Sequence, residues 1–169
     1  MQFSVGVEYA LHSLFYILDL PNGKVVGIKE LSLLHQVSES YLSKVFTKLR
    51  KQGIVRSVTG VNGGYELARK PEDITFWDVV EAVEGPSYLF QCGEIRQKNR
   101  LFENDNEENI GTECPCLIKV VMWEAEEQMR NYLRDKNLRW LQKEVYKDFS
   151  EEKKEKIKQW LEDPSNSIN

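Results

Sequence analysis

No apolar run in this chain is long enough to cross a bilayer. The N-terminus has no cationic stretch, and Glu8 interrupts its apolar part, so a secretory signal is not expected there. Cysteine is scarce, with three in 169 residues. Three thiols cannot all pair within one chain. That points to a reducing cytoplasm, where thiols serve metals or redox chemistry. Net positive charge is missing too: the formal balance is −4, so bulk charge does not announce a nucleic-acid binder. No nucleophile–base pair or pocket signature appears, which argues against an enzyme. There is no internal repeat.

What is present is enough apolar residue, 41%, for a core, and a length that suits one domain with appendages. The charge is unevenly spread. Between Ser38 and Lys70 stand Lys44, Lys48, Arg50, Lys51, Arg56, Arg69 and Lys70, against only Glu39 and Glu66. From Glu84 to Glu113 the balance reverses. A basic module beside an acidic segment fits a phosphate-binding face on an otherwise acidic protein.

The stretch Gly27 to Leu67 organises the rest. Ile28, Leu31 and Leu34 mark the apolar side of a first helix, and His35 to Val37 is a turn. Ser38 is placed to cap a second helix. In that helix Leu42, Val45, Phe46 and Leu49 form one buried stripe. Ser40, Tyr41, Ser43, Lys44, Thr47, Lys48 and Lys51 occupy the other side. Short hydrogen bonders and lysines are the mix a helix needs to read base edges and hold phosphates in a major groove. An ordinary solvated helix surface has a similar composition. Ile54 to Val58 and Tyr65 to Ala68 alternate as strands around a glycine-rich turn. The pattern predicts a mainly α fold with a small β-wing, a winged helix-turn-helix. The wing's glycines let its backbone approach a phosphate or a minor groove closely.

Before this module, Phe3 to Leu18 reads as a helix with Val5, Tyr9, Ala10, Leu14, Ile17 and Leu18 mostly buried. Glu8 and His12 share one of its faces. Val25 and Val26 suit a short strand beside the wing. After it, Thr75 and Asp78 have capping-box spacing, and Ile74, Trp77, Val80 and Val83 suit one packed helix side. Phe102 to Gly111 is acidic and amide-rich, which predicts a mobile loop. Cys92 precedes the loop, and Cys114-Pro115-Cys116 closes it. Leu117, Val121, Ala125, Met129 and Tyr132 then line a long helix whose apolar surface needs a partner, either a second copy or the first helix. Asn137 or a neighbour restarts a short helix through Leu138, Leu141 and Val145. From Ser150 a charged helix carries a small apolar edge at Ile157, Trp160 and Leu161.

Three runs carry a family resemblance: FSVGVEYALHSLFYI, SESYLSKVFTKLRKQGIVRSV and GVNGGYELARKPEDITFWDVVEAVEG. They resemble the Rrf-two family of bacterial winged-helix transcription regulators, whose members include the iron–sulfur regulator IscR, the nitric-oxide sensor NsrR and the cysteine regulator CymR. The resemblance is strong over the first half and looser over Leu117 to Leu133. It implies a DNA-binding domain at 1–85, a cysteine-bearing sensor loop at 86–116 and a dimerisation helix at 117–136; the helical extension at 137–169 runs into a tail beyond the resemblance. On the DNA side it implies contacts from Ser38, Ser40, Tyr41, Ser43, Lys44, Thr47, Lys48, Lys51, Arg56, Thr59, Asn62 and Gly63. Thr59 stands where family wings commonly present an arginine.

Cys92, Cys114 and Cys116 are soft donors suited to an iron–sulfur cluster or zinc. The resemblance adds a non-cysteine fourth ligand, which in some members comes from the first helix of the other subunit; Glu8 and His12 on that helix are the candidates. The spacing departs from the family, whose cysteines usually lie closer together. Lys119 or Val120 also stands where IscR-like members have histidine, so that ligand set does not transfer. The expectation is a cytoplasmic homodimeric repressor that binds a palindromic operator and answers to redox, nitric oxide or iron–sulfur status. The alternatives are a cofactor-free thiol switch and a winged-helix interaction module without operator binding.

Overall fold

Helix α1 (Val5–Leu18) is the element on which the first of two compact units is built. The computed structural model describes residues 2–21, 23–60, 63–86, 88–95 and 116–162. Asn62, Cys114 and the expected loop at 102–111 lie outside the described residues. After α1 come α2 (Ile28–His35), α3 (Glu39–Lys51), strands β1 (Val55–Val58) and β2 (Gly64–Leu67), a 3-10 turn (Pro71–Asp73) and α4 (Phe76–Glu84). Helices α5 (Leu117–Asp135), α6 (Leu138–Lys147) and α7 (Glu151–Glu162) follow. The first unit comprises residues 1–86 and 133–169, the second residues 87–132.

The first unit's core gathers one stripe from each helix. Ala10 and Leu14 of α1, Leu31 of α2, and Leu42, Phe46 and Leu49 of α3 are fully buried, with Ile54, Ile74, Val79 and Leu138. Each large side chain so placed contributes about 1.5–3 kcal/mol against exposure. Val5, expected inside, is exposed, because the first turn of α1 turns it toward an open groove lined also by Glu8 and His12. Gly6 lets α1 come close to its neighbours: a Cβ there would stand 3.1 Å from Val83 Cγ1 and 3.2 Å from the Tyr41 hydroxyl.

The wing is a two-stranded antiparallel hairpin pairing Val55 with Leu67 and Val58 with Gly64. Val26, not Val25, adds a single bridge to Tyr65, with N···O distances of 2.8 and 3.2 Å. This backbone approach is why position 64 is glycine. A Cβ on Gly64 would lie 2.6 Å from the Val26 carbonyl oxygen.

Local caps set the helix starts. Thr75 and Asp78 complete the capping box of α4, and Asn137 caps α6. Tyr146 and Gln142 of α6 donate to the Asp19 carboxylate at the end of α1. Burial holds that carboxyl above the usual carboxylate range, while Tyr146, Gln142 and Arg139 pull the other way. Helix α7 does more than present an apolar edge. Trp160 and Leu161 are buried, and the Trp160 ring meets Tyr16 edge-on at 5.5 Å.

In the second unit the buried Glu126 carboxylate accepts from the Leu89 N–H at 3.1 Å and from the Arg130 guanidinium, fixing residues 88–95 along α5. Lys119 lies 4.5 Å from the Trp123 ring centroid and 3.5 Å from Glu94. Leu117, Ile118, Val121, Met122, Trp123 and Tyr132 of α5 are exposed. No helix among the described residues is long and apolar enough to cross a membrane.

Candidate nucleic-acid interface

Helix α2 stops because Gln36 takes a left-handed conformation, φ 52°, and its N–H turns back to the Leu33 carbonyl. Val37 N–H bonds Ser32 O at 3.0 Å, which closes the turn. Ser38 then caps α3, its hydroxyl accepting from the Tyr41 N–H at 3.3 Å. With Leu42, Val45, Phe46 and Leu49 all buried, the opposite row of α3 is forced outward. That row is Ser40, Lys44, Thr47 and Lys51, spaced at three and four residues. Ser40, Lys44 and Lys51 are exposed, and Thr47 is half-buried with its hydroxyl donating to Ser43 O at 2.8 Å. Ser43 sits half-buried on one flank.

The other flank makes contacts within the protein. Tyr41 lies one turn before Val45 and so borders the apolar stripe. It is half-buried, with its ring edge-on to Tyr9 at 5.8 Å. Lys48 is exposed on the same flank, and its ammonium donates to the Val83 carbonyl of α4 at 2.6 Å. Spacing grouped both residues with the outward face; Lys48 is exposed there, while Tyr41 is half-buried against α1.

On the wing, Arg56 is exposed and pairs across the strands with Glu66 at 2.9 Å. Such a surface pair is worth about 0–1 kcal/mol, so the guanidinium is available to a phosphate. Thr59 is exposed. The Gly63 N–H is spent within the turn, bonded to Gly60 O at 3.0 Å. Asn62 lies outside the described residues.

Behind the turn, His35 ends α2 among the rings of Tyr9, His12 and Tyr16, with centroids 5.9–6.3 Å away. Its Nε2 is buried without a hydrogen-bond partner among the described residues. Burial, and then the neighbouring His12, push its pKa below 6.5. The unfolded chain therefore binds the proton more readily, and stability rises with pH across this window. Stability is expected to be full above about pH 6.5 and to fall as pH drops from there toward the folded pKa. Denaturant midpoints at pH 7.5 and 5.0, compared with those of His35→Gln, check this. The variant's midpoint is expected to depend less on pH.

The metal candidates belong to different units. Glu8 and His12 are exposed on α1 in the first unit. Cys92 and Cys116 are half-buried free thiols of the second. Cys114 lies outside the described residues. Among the described residues no group of three or more His, Cys, Asp or Glu comes together to hold a metal. Cys92 lines a cavity of about 550 Å³ with Tyr88, Phe90, Lys119, Trp123 and Arg130.

A family model for Rrf2, described as an iron-dependent transcriptional regulator, matches residues 3–144. The chain belongs to the Rrf2 family.

This Rrf2 regulator is 33% identical over 125 residues to the HTH-type transcriptional regulator NsrR of Shouchella clausii, covering 74% of this chain and 77% of that protein. Its fold is similar to that of CymR, the global cysteine regulator of B. subtilis, with a TM-score of 0.64 at 22% identity over 85% of this chain and 97% of the other. IscR of T. potens gives a TM-score of 0.64 at 23% identity, covering 89% and 93%. At those identities the two structures establish the winged helix-turn-helix fold with its C-terminal helices. The protein is thus a DNA-binding transcription regulator of helix-turn-helix type and not an enzyme.

Proposed function

We propose that this Rrf2 regulator acts in the cytoplasm as a homodimer on a palindromic operator, represses from it, and has its affinity set by a cysteine-based sensor. The observation that carries operator binding is the outward row Ser40, Lys44, Thr47 and Lys51, presented by a capped helix in the same unit as the glycine-rich wing. Its short polar groups reach base edges, while Lys44, Lys51 and Arg56 reach phosphates. Homodimerisation is supported by the exposed apolar side chains of α5, a surface of the kind that marks a protein contact. Two copies would then read half-sites about 34 Å apart.

Sensing is supported by Cys92 and Cys116 lying in one small unit, and by the iron-dependent description of the family. The described donors alone do not complete a cluster site. If a cluster binds, Cys92, Cys114 and Cys116 would be its thiolates, with Glu8 or His12 as a further ligand. Bound, it would supply iron reactive toward oxidants and nitric oxide. Without a cluster, oxidation would join Cys92 to Cys114 or Cys116 as a disulfide, two electrons passing to an external disulfide or peroxide.

The test is a visible spectrum of protein purified without oxygen, paired with operator affinity. Brown colour lost in Cys92→Ser and Cys116→Ser supports the cluster. A colourless protein whose affinity changes on oxidation supports the thiol switch. Equal affinity in every state would remove the sensor and leave DNA binding intact.

A further inference from the structure

The last turn of α4 is a junction. Its carbonyls lack the partners that a continuing helix would supply, and the negative end of the helix dipole favours a cation there. Lys48 supplies that cation, at 2.6 Å from Val83 O. One residue on, Glu84 accepts from the Ser4 N–H at 2.8 Å and the Ser4 hydroxyl at 2.7 Å, clamping the start of α1 to the same turn. Val83 itself is buried, with its Cγ1 against Gly6. Helices α1 and α3 therefore both fasten to one turn of α4. Gly85, at φ 80°, then redirects the chain, and Pro86 leads into the segment that carries Cys92.

We propose that Lys48 is a positioning residue and not a phosphate contact: it ties the recognition helix α3 to the last turn of α4. Because the cysteine-bearing segment departs from that turn, the tie also carries the segment's state to the DNA-reading face. This second step rests on the sensing reading, whereas the first does not. The physical basis is simple. Lys48 is exposed as a residue, but its ammonium is already held on a helix-terminal carbonyl, and that contact fixes how α3 is presented. A shift of the α4 end would strain Lys48 on one side and the Ser4–Glu84 clamp on the other.

The experiment compares Lys48→Met, which keeps the apolar stem, with Lys44→Ala as a phosphate-contact reference. Both are titrated with salt on a selected inverted repeat and on a duplex of random sequence, after thermal melts confirm folding. Lys44→Ala is expected to lower the salt slope by about 2 per dimer, at roughly 0.9 per contact. Lys48→Met is expected to leave the slope unchanged and to weaken the inverted repeat about tenfold, the scale of one charged hydrogen bond. It should leave the random duplex unaffected. A slope lowered as in Lys44→Ala would place the ammonium on a phosphate and overturn the assignment.

For the second step, the inverted repeat is titrated with thiols reduced and then oxidised by diamide. The wild-type affinity ratio between the two states is expected to collapse to one in Lys48→Met and in Glu84→Gln. A ratio retained in both variants overturns transmission. No ratio in the wild type overturns the thiol-switch form of the sensing reading and this transmission with it, while the salt slope still judges the position of Lys48.

Discussion

Replacing Lys44 and Lys51 together with alanine is expected to weaken DNA binding roughly a thousandfold near 0.1 M salt, on all duplex sequences. Both lysines are exposed on the outward row of α3, and neither has a salt-bridge partner among the described residues. Each ammonium that neutralises a phosphate frees a condensed counterion, so affinity and salt dependence fall together. A homodimer loses four such contacts, and the salt slope should drop by about 3.6 at roughly 0.9 per contact. Folding should be nearly untouched, since exposed substitutions of this kind stay within about 0.5 kcal/mol. Fluorescence titrations at several salt concentrations check the slope. An unchanged slope with lost affinity would put the phosphate contacts elsewhere. Ser40→Ala, on the same row, should instead alter the preference among sequences.

Phe46→Ala is expected to cost about 3–5 kcal/mol, the range for emptying a large buried aromatic site. Phe46 is fully buried, and its ring meets Tyr65 at 4.8 Å with planes 62° apart. Such an aromatic pair adds about 0.5–1.5 kcal/mol beyond area burial. Tyr65 also carries the bridge to Val26, so this one contact seats the wing against the recognition helix. A domain of this kind has about 5–15 kcal/mol in all, and the variant should be close to unfolding at body temperature. In urea the midpoint should fall with little change in slope. Phe46→Leu, which leaves a smaller void, should retain most of the stability. A loss below about 1 kcal/mol in the alanine variant would mean the site refills from neighbouring side chains.

The parts of this fold that could be read in advance depend on neighbours a few residues away. Ser38 and Thr75 cap their helices because a side-chain oxygen needs only an N–H two or three residues on. The α3 stripe follows from helical spacing, and its four apolar members are all buried. What the chain did not disclose depends on distant partners. Lys48 meets a carbonyl on α4, and Tyr41 meets Tyr9 of α1. Asp19 gathers two donors from α6, and α7 buries Trp160 against Tyr16. No periodicity encodes such pairings. The flank of α3 was ambiguous for the same reason: a residue beside an apolar stripe faces solvent or protein according to what packs there. The cysteines were legible as chemistry, three soft donors around an acidic stretch, but not as geometry.

The most direct test of operator recognition is selection of bound duplexes from a random-sequence pool by the full chain. Enrichment of an inverted repeat is predicted, with half-site centres about one helical turn, 34–36 Å, or a multiple apart. That enrichment should vanish in the Lys44→Ala, Lys51→Ala variant. Enrichment of a single unrepeated site, or an inverted repeat recovered equally well by that variant, would contradict the account.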